Sequence, residues 1–256
     1  MPAEPIHAET AGLAQTLIEA QQEARLAAFR PSLVPANVAA AMAVQRDVAR
    51  ALGAKVAGWK VGYTPEGAPV AGPLYAKRLH PNGGKLPVGP SRKSGLEVEI
   101  ALRLGKDLPR RSEPYTRAEL LDAASALLIG VEIVEARFPD PPKPPFLTLL
   151  ADNLGNGGYV CGKDVTDFRG LELEHLRCSL AVDGRLIHEG VGGHAKGDPL
   201  APALDYANAP SDLLGGLKAG QVVTTGTLSG CPFIDGACKV EAEIEGLGKV
   251  AFEITA

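Results

Sequence analysis

Two glutamates interrupt an alternating apolar run, and this pattern constrains both the fold of the chain and its chemistry. In SGLEVEIALRLG, every even position from Val98 to Leu104 is apolar, whereas Glu97 and Glu99 occupy odd positions. A period of two residues is typical of a β-strand with one apolar face. Both carboxylates therefore lie on one side of the strand, about 7 Å apart along a backbone that rises ~3.3 Å per residue. The pattern predicts a sheet that packs against one face of this strand and carries two negative charges on the other.

A third glutamate, Glu132, lies in a second apolar, strand-like run, LLIGVEIVEARF. Like charges that meet near a core need a cation between them, or one of them must bind a proton. Three such carboxylates on two strands would form an oxygen-rich site for a hard divalent ion such as Mg²⁺. The alternative is that the carboxylates line a solvated face on which Arg103 neutralises part of their charge. Spacing alone leaves both interpretations open.

The length and charge of the chain favour a compact enzyme over a nucleic-acid-binding or membrane protein. Its 256 residues suffice for one large domain, or for one domain with an appendage. A net charge of −4 with scattered Lys and Arg leaves no basic stripe for nucleic acid. No apolar stretch reaches the ~20 residues of a membrane span, and the N-terminus lacks the pattern of a secretory signal. We therefore expect a cytoplasmic protein.

The sequence lacks the common motifs of zinc, nucleotide and nucleophile sites. Its cysteines, Cys161, Cys178, Cys231 and Cys238, include no CxxC pair, which predicts small buried thiols without a metal-binding or nucleophilic role. The motifs GxxxxGK[ST], GxSxG and HExxH are absent, as is a GxGxxG that opens a helix. A nucleotide cofactor and a covalent nucleophile are therefore disfavoured. Among the histidines, His80 in KRLHPNGG is retained as an active-site candidate.

Hydrophobic periodicity divides the chain into a helical N-terminal part and a β-rich body. A 3.6-residue period predicts helices at about residues 8–29 and 38–52, with Gly53 as the stop of the second helix. Beyond them, short apolar runs alternate with Gly, Pro and Asp, which is typical of strands. We predict a helical N-terminal subdomain at residues 1–54 and a β-rich catalytic domain at residues 55–256.

Turn and helix signals subdivide the β-rich body. The segments 182–185, VDGR, and 245–248, EGLG, lie between alternating runs and predict hairpins. Helices are predicted at about residues 117–128, after the capping candidate at 116, and at about residues 199–207. The segment PDPPKPP at 139–145 is predicted to be a stiff loop.

Three polar segments are candidates for chemistry outside the glutamates. Lys60, in GWKVGYT, either binds an anionic substrate and handles a proton or extends its ammonium to solvent from a strand end. Asp152 and Asn153 open ADNLGNGG, which either builds a pocket wall or only turns the chain. TTGTLSG offers Thr227 and Ser229 hydroxyls and backbone amides to a carboxylate, or it is a solvated strand end.

Four short motifs, taken together and in order, resemble one enzyme family. GWKVGYT resembles the family pattern GHKIGLT, LEVEIAL resembles IEVELAF, GVEIVEAR resembles ALEIVDAR, and ADNLGNGG resembles SDNAANAG. From about Gln45 to its C-terminus, the chain is thus similar to the 2-keto-4-pentenoate hydratase and 4-oxalocrotonate decarboxylase group of the fumarylacetoacetate hydrolase superfamily. Several unrelated motifs in the right order are more specific than any one of them.

The resemblance implies a fold, a cofactor and a set of site residues. The fold would be α+β, with a mixed β-sheet roll as its core and a helical N-terminal part, and the protein would form a homo-oligomer. Glu97, Glu99 and Glu132 would bind Mg²⁺ or Mn²⁺, and Lys60 would be the catalytic residue. The substrate would be a small 2-oxo acid. The resemblance assigns it these contact positions: Val61, Gly62, Leu74, Asp152, Asn153, Gly226, Thr227 and Ser229.

Two segments depart from the family pattern. Where the hydratases usually carry an acidic residue in PDYGAL, this chain has PVAGPL, followed closely by Lys77 and Arg78. The family segment GGSFTRP is TGTLSGCP here, with Thr227 in the serine position and Gly230 where an arginine is common. The TGT sequence instead resembles the acylpyruvate and fumarylacetoacetate hydrolases. The His and Glu pair of those hydrolases, spaced HxxE, is missing from this sequence.

These motifs favour a metal-dependent hydratase that adds water to a small 2-hydroxy-2,4-dienoate or 2-oxo-alkenoate, as in the catabolism of aromatic compounds. A decarboxylase of 2-oxo-3-hexenedioate is the nearest alternative, and a C–C hydrolase of acylpyruvates is another. A non-enzymatic alternative is a subunit that binds a homologous decarboxylase or hydratase. The missing acid supports that alternative, whereas the three glutamates and Lys60 oppose it.

Overall fold

A computed structural model of the chain describes residues 8–139 and 143–256. The centre of the predicted proline-rich loop at 139–145 therefore lies outside the described residues. The described part contains these α-helices: α1 (Ala8–Gln22), α2 (Val38–Ala51), α3 (Arg117–Ala123), α4 (Phe146–Ala151) and α5 (Ala201–Asn208). It contains these β-strands: β1 (Val56–Tyr63), β2 (Pro69–Tyr75), β3 (Leu79–Pro81), β4 (Lys85–Pro87), β5 (Lys93–Leu104), β6 (Ala124–Val134), β7 (Asn156–Cys161), β8 (Arg177–Val182), β9 (Arg185–Val191), β10 (Val222–Thr227), β11 (Phe233–Asp235), β12 (Cys238–Ile244) and β13 (Gly248–Thr255).

The strands form two mixed sheets that pack against each other. The larger sheet has the order β2-β1-β10-β5-β6-β7-β3, with β11 pairing to β5, and the smaller has the order β4-β13-β12-β8-β9. Parallel pairs such as β1 with β10 occur beside antiparallel pairs such as β5 with β6. The predicted α+β class with a mixed β-sheet core is confirmed.

Strand β5 lies in the middle of the larger sheet and behaves as its sequence predicts. Its even positions, Val98 to Leu104, are buried in the main core, which also contains Val240 of β12 and Phe252 of β13. The odd positions of β5 face the other side of the sheet. On that side Glu97 pairs in register with Glu132 of β6. The alternation thus places the glutamates on the face opposite the main core.

The two N-terminal helices are present, but the first is shorter than predicted. Helix α1 ends at Gln22 and not near residue 29, because Ala24 adopts a positive φ of 48° and the chain then hydrogen-bonds to Arg137 through Ala27 N. Helix α2 ends just before Gly53, whose φ is +57°. Both helices share an apolar cluster with residues of the β-rich part. The division at residues 54 and 55 stays a prediction.

The remaining elements test the other local predictions. Both hairpins are confirmed, as β8–β9 and β12–β13. Helix α3 starts with a capping box between Thr116 and Glu119, but its predicted extension to residue 128 is wrong because residues 124–128 pair with β5 instead. Helix α5 lies close to its predicted position, whereas α4 was not predicted. No helix within residues 8–139 and 143–256 is long and apolar enough to cross a membrane.

Candidate active site

The three glutamates converge on one face of the larger sheet. One oxygen from each carboxylate lies within 4.8 Å of the others. Glu132 is fully buried and Glu99 is 1% exposed, while the Glu97 side chain is 18% exposed and forms the open side of the cluster. The sheet register explains the convergence, because Glu97 lies opposite Glu132 and Glu99 is two positions further along β5.

Lys60 reaches the same cluster from strand β1. Its Nζ lies 2.8 Å from Glu132 Oε1 and 3.5 Å from Glu97 Oε2, and it donates a hydrogen bond of 3.2 Å to the carbonyl of Leu154. The neighbouring Trp59 is buried in the main core on the opposite face of the strand. The lysine is therefore a mostly buried partner of the carboxylates, with a side chain only 14% exposed, and the alternative in which its ammonium extends to solvent is wrong.

The alternative of a solvated acidic face is also wrong. Arg103, which could have neutralised the glutamates, lies near the C-terminal end of β5 and donates a 2.7 Å hydrogen bond to Asp164. Two of the three carboxylates are buried from water. The carboxylates of Glu97, Glu99 and Glu132 are thus neutralised locally only in part, by the single ammonium of Lys60.

The buried charges shift one another's pKa values. Burial, and then Glu132 and Glu97, hold the pKa of Glu99 well above its usual range. Burial also raises the pKa of Glu132, because Lys60 offsets the loss of solvation only in part. For Lys60, burial opposes the charged form, but Glu132 and Glu97 more than compensate and raise its pKa. The cluster carries an excess of negative charge that an added cation would relieve.

Two carboxylate oxygens point to the place of such a cation. Glu99 Oε2 and Glu132 Oε2 are buried, and neither accepts a hydrogen bond from the described residues. A buried acceptor without a donor is costly, so native proteins rarely leave one unless an ion or water completes it. Carboxylate oxygens are the ligands that hard divalent cations prefer. The donor set therefore fits an ion such as Mg²⁺ or Mn²⁺.

The TTGTLSG segment holds strand β5 and its glutamates in place. Gly226 donates its backbone N–H to Glu99 Oε1 at 2.9 Å. Its φ of +105° is one that residues other than glycine rarely adopt. Ser229 Oγ accepts a hydrogen bond of 3.1 Å from Val98 N, and Thr227 Oγ1 donates to the carbonyl of Gly230. The segment is packed against β5 and is not a solvated strand end. Its contact with substrate stays a prediction.

The loop after α4 forms a wall beside Lys60. Asn153 and Leu154 both have a φ of 54°, which is strained for residues other than glycine. A side chain at Gly72 would come within 2.6 Å of the Asn153 carbonyl oxygen, so the backbones of β2 and this loop are in close contact. Asn156 Nδ2 donates to Glu132 Oε1 at 3.0 Å. These contacts favour a pocket wall over a simple turn.

Asp152 is directed away from the glutamates. Its Oδ2 accepts a 2.7 Å hydrogen bond from Arg137 N, and its Oδ1 lies 3.2 Å from Arg137 Nη1. Both side chains are buried. Burial raises the pKa of Asp152 to about 6 even though Arg137 opposes the shift. The carboxylate is thus engaged in an ion pair that fixes the loop.

Sequence reasoning missed Tyr159, which packs beneath the cluster. Its hydroxyl and that of Thr224 are buried against the Glu99 carboxylate and interact with it, although neither has the geometry of a well-formed hydrogen bond. A Cβ on residue 130 would lie 2.1 Å from the Tyr159 oxygen, so only glycine fits at position 130. No local sequence signal could have found it, because Tyr159 comes to lie opposite Glu132 only through the register of β6 and β7. Asn156 and Arg137 were missed because their partners are distant in the sequence.

The other predicted positions divide between the two faces of the sheet. Val61 packs into the main core, so only its backbone faces the site, whereas Gly62 shares a face with Lys60. Leu74 is buried in register with Gly58 on that face. His80 pairs in register with Val160, which lies in the main core, so it is not near the glutamates. All four cysteines are free thiols, and Cys178 and Cys238 are buried as predicted, whereas Cys161 and Cys231 are only half-buried.

Comparison with known sequences confirms the resemblance drawn from the motifs. The family described as fumarylacetoacetate (FAA) hydrolase C-terminal matches residues 39–255. A 2-keto-4-pentenoate hydratase of Burkholderia vietnamiensis is 30% identical over 96% of this chain and 97% of its own. A protein of the same name from Paraburkholderia phymatum is 30% identical over 93% of this chain and 94% of its own.

Comparison with solved structures confirms the fold. The 4-oxalocrotonate decarboxylase from Pseudomonas putida G7, solved with magnesium and adipate, superposes with a TM-score of 0.84. It is 20% identical, and the match covers 97% of this chain and 98% of that one. Fumarylpyruvate hydrolase from Pseudomonas aeruginosa, solved with Mn²⁺ and pyruvate, gives a TM-score of 0.54 at 18% identity over 77% and 88% of the two chains.

Proposed function

Because the chain belongs to the fumarylacetoacetate hydrolase family, we propose that it is a divalent-metal-dependent hydratase that adds water to a small 2-hydroxy-2,4-dienoate. The observation that carries the proposal is the convergence of Glu97, Glu99, Glu132 and Lys60 on one buried patch of the sheet. The relatives named 2-keto-4-pentenoate hydratase support the reaction, since they align over nearly the whole chain. The substrate would be a small 2-oxo acid or its dienol form.

The three glutamates would hold the metal ion, Mg²⁺ or Mn²⁺. Glu99 Oε2 and Glu132 Oε2, which lack donors among the described residues, are the atoms that such an ion would satisfy. When bound, a hard divalent ion acts as a Lewis acid toward carboxylate and carbonyl oxygens. Gly226 and Asn156 orient the ligands, because they donate to Glu99 and Glu132 through hydrogen bonds of 2.9 and 3.0 Å.

Lys60 would stabilise negative charge on the substrate. Its raised pKa keeps it protonated, and its ammonium faces the same patch as the carboxylates. The dienol first loses its hydroxyl proton, and Lys60 would neutralise the negative charge that develops on the substrate. A proton added at C5 then gives the conjugated 2-oxo-3-enoate. Water then adds its hydroxyl to C4 and a hydrogen to C3. The net change is the addition of one water molecule.

Decarboxylation is a second candidate because of one residue. Val70 lies on the same face of the sheet as Lys60, where the hydratases usually carry an acid, and it is fully buried in the apolar cluster of the N-terminal helices. A carboxylate that would handle water is therefore replaced by an apolar wall. Loss of CO₂ from a 2-oxo-3-hexenedioate needs charge stabilisation at the same patch but no added water. The matched decarboxylase fold is compatible with this reaction.

A three-substrate assay tests the proposal. The purified chain is incubated with 2-hydroxypenta-2,4-dienoate, 2-oxo-3-hexenedioate or an acylpyruvate, each with Mg²⁺, Mn²⁺ or EDTA, and products are identified by NMR. We expect hydration of the dienoate that EDTA abolishes and that E132Q lacks. Formation of CO₂ from the hexenedioate alone would move the assignment to decarboxylase, and cleavage of the acylpyruvate alone would move it to hydrolase. No turnover of any substrate would contradict an enzymatic role and favour a partner subunit.

A further inference from the structure

A cavity of about 380 Å³ lies on the other side of the larger sheet from the glutamates. Ile133 and His80 line it, and both belong to the face that alternates with Glu132 and Tyr159. None of the glutamates of the candidate site lines it, nor does Lys60. Its volume falls within the range of small-molecule sites, roughly 300–1,000 Å³. The cavity is thus separate from the candidate active site and large enough for a ligand.

Arg78 supplies a positive charge to the wall of this cavity and has no direct ion pair with the described residues there, although Asp152 and Glu135 lie near enough to offset part of its charge. Its Nη1 donates to the Gly157 carbonyl at 2.8 Å and its Nη2 to Gln21 Oε1 at 3.4 Å, so both partners are neutral. Its Nε is buried without an acceptor, and it forms no ion pair with a carboxylate in the part of the chain that is described. Burial and the nearby Arg137 lower the pKa of Arg78 to about 10, which still leaves it charged at neutral pH.

The other arginines that line the cavity have anionic partners already. Arg25 pairs with Glu19 and with Glu23, and Arg137 pairs with Asp152. A mostly buried cation that meets only neutral acceptors is destabilised relative to one that faces an anion. Arg78 is therefore the arginine of this wall that a bound anion would stabilise most.

The rest of the lining limits the kind of anion. One acid, Glu135, also lines the cavity, where its Oε1 accepts hydrogen bonds from Ser94 Oγ at 2.6 Å and Gly89 N at 3.2 Å. Its charge disfavours a doubly charged ligand such as phosphate, because Lys77, which also lines the cavity, is exposed and its charge is screened by water. Much of the remaining lining is aliphatic: Leu26, Leu86, Val88, Ile133 and Ile254. A ligand with one negative charge and an apolar body matches both features.

We propose that this cavity is a second binding site, which takes a monocarboxylate with a short aliphatic body and pairs its carboxylate with Arg78. The guanidinium would donate to the carboxylate through the N–H groups of Nη1 and Nη2 that Gly157 and Gln21 leave free, and the aliphatic chain would contact the apolar wall. Arg78 also holds Gly157, next to the Asn156 that donates to Glu132. The site thus adjoins the loop of the candidate active site without sharing its ligands.

Hexanoate binding to the EDTA-treated protein tests the site independently of any turnover. Titration calorimetry is run with hexanoate and, as a neutral probe of the same length, with hexanol. R78Q removes the cation, L26W fills the cavity but keeps the arginine, and R103Q is the control that removes an arginine elsewhere. We expect saturable hexanoate binding that weakens by about tenfold or more in R78Q, in keeping with the loss of a charge-assisted hydrogen bond, and that disappears in L26W.

Other results would overturn the site. Hexanoate that fails to saturate the EDTA-treated protein, or that binds R78Q and wild type equally, contradicts the assignment. Hexanol that binds as tightly as hexanoate contradicts the role of the charge. If R78Q does not fold, as judged by circular dichroism, L26W decides: retained hexanoate binding in L26W would place the ligand elsewhere. R103Q is expected to match wild type, and an equal loss in R103Q would show that hexanoate responds only to net charge.

Discussion

Two groups of buried charges lie close together in this protein, and they are built differently. Around Lys60, three carboxylates meet one ammonium, and buried carboxylate oxygens are left without donors in the described structure. In the neighbouring pair, Arg137 meets Asp152 one to one, and a backbone N–H adds a second bond to the carboxylate. The balanced pair fixes a loop. The unbalanced cluster has an excess of negative charge that a bound cation or a proton must offset, and this marks it as the candidate site of chemistry.

The largest effect is expected at Glu99. If its neutralisation left turnover unchanged, the proposed difference between the two groups of charges would be contradicted. We expect E99Q to lower kcat by about a thousandfold, because it removes a ligand of the ion that stabilises charge in the reaction. The metal-free protein should instead become more stable by about 1–3 kcal/mol, since a buried repulsion is removed. Hydration assays and urea denaturation in EDTA measure both effects. A large loss of stability in E99Q would mean that the carboxylate is structural.

The balanced pair should respond in the opposite sense. R137M leaves Asp152 buried without its partner and should destabilise the fold by about 3–5 kcal/mol. Urea denaturation measures this effect. R103M is the matched control, because it breaks an exposed pair with Asp164 and should cost at most about 1 kcal/mol. Equal losses in the two variants would remove the distinction between the buried and the exposed pair.

The pH dependence of stability sharpens the account of Asp152. Its pKa of about 6 lies above the usual 3.8, so the folded state favours the protonated acid. Stability contributed by this group is therefore present below about pH 4 and is lost as the pH rises through about 6, by up to about 3 kcal/mol. D152N lacks this titration. Its stability relative to wild type should rise between pH 4 and pH 7, and a constant or falling difference in urea denaturation would contradict the assignment.

The smallest effect is expected at Tyr159. Y159F removes the hydroxyl beneath Glu99 and should weaken Mn²⁺ binding about tenfold, the lower end of the range for groups that orient metal ligands. Titration of Mn²⁺ into EDTA-treated protein measures the change. The buried Y75F, whose hydroxyl lies near Asn153, serves as the control and should bind Mn²⁺ like wild type. Unchanged affinity in Y159F would exclude an orienting role.

The sequence predicted the site residues whose positions depend on local periodicity and short motifs. The alternation in β5 placed the glutamates on one face, and the motif around Lys60 placed the lysine beside them. The residues that complete the cluster were not predictable in the same way. Tyr159 contacts Glu99 only through the pairing of three strands, and Arg137 meets Asp152 across a loop, so neither contact leaves a mark in a short window of sequence.

The error at α3 has a different cause. Residues 124–128, ASALL, have high helix propensity, and the prediction from sequence therefore extended α3 through them. In the fold they form the start of β6 and pair with β5, and residues 126–128 are buried in the sheet. Burial in the sheet outweighs the intrinsic preference, which is small for each residue. The strand holding Glu132 is therefore longer than its sequence alone indicates.

The central claim is that Glu97, Glu99 and Glu132 together bind a divalent ion. Calorimetric titration of Mn²⁺ into the EDTA-treated protein tests it most directly, with E132Q as the decisive variant and R103Q as the control for net charge. The account predicts one saturable site in wild type and R103Q, and binding weaker by at least about a hundredfold in E132Q, because that variant loses the negative charge and one acceptor oxygen of the donor set. Undiminished Mn²⁺ binding by E132Q would contradict it.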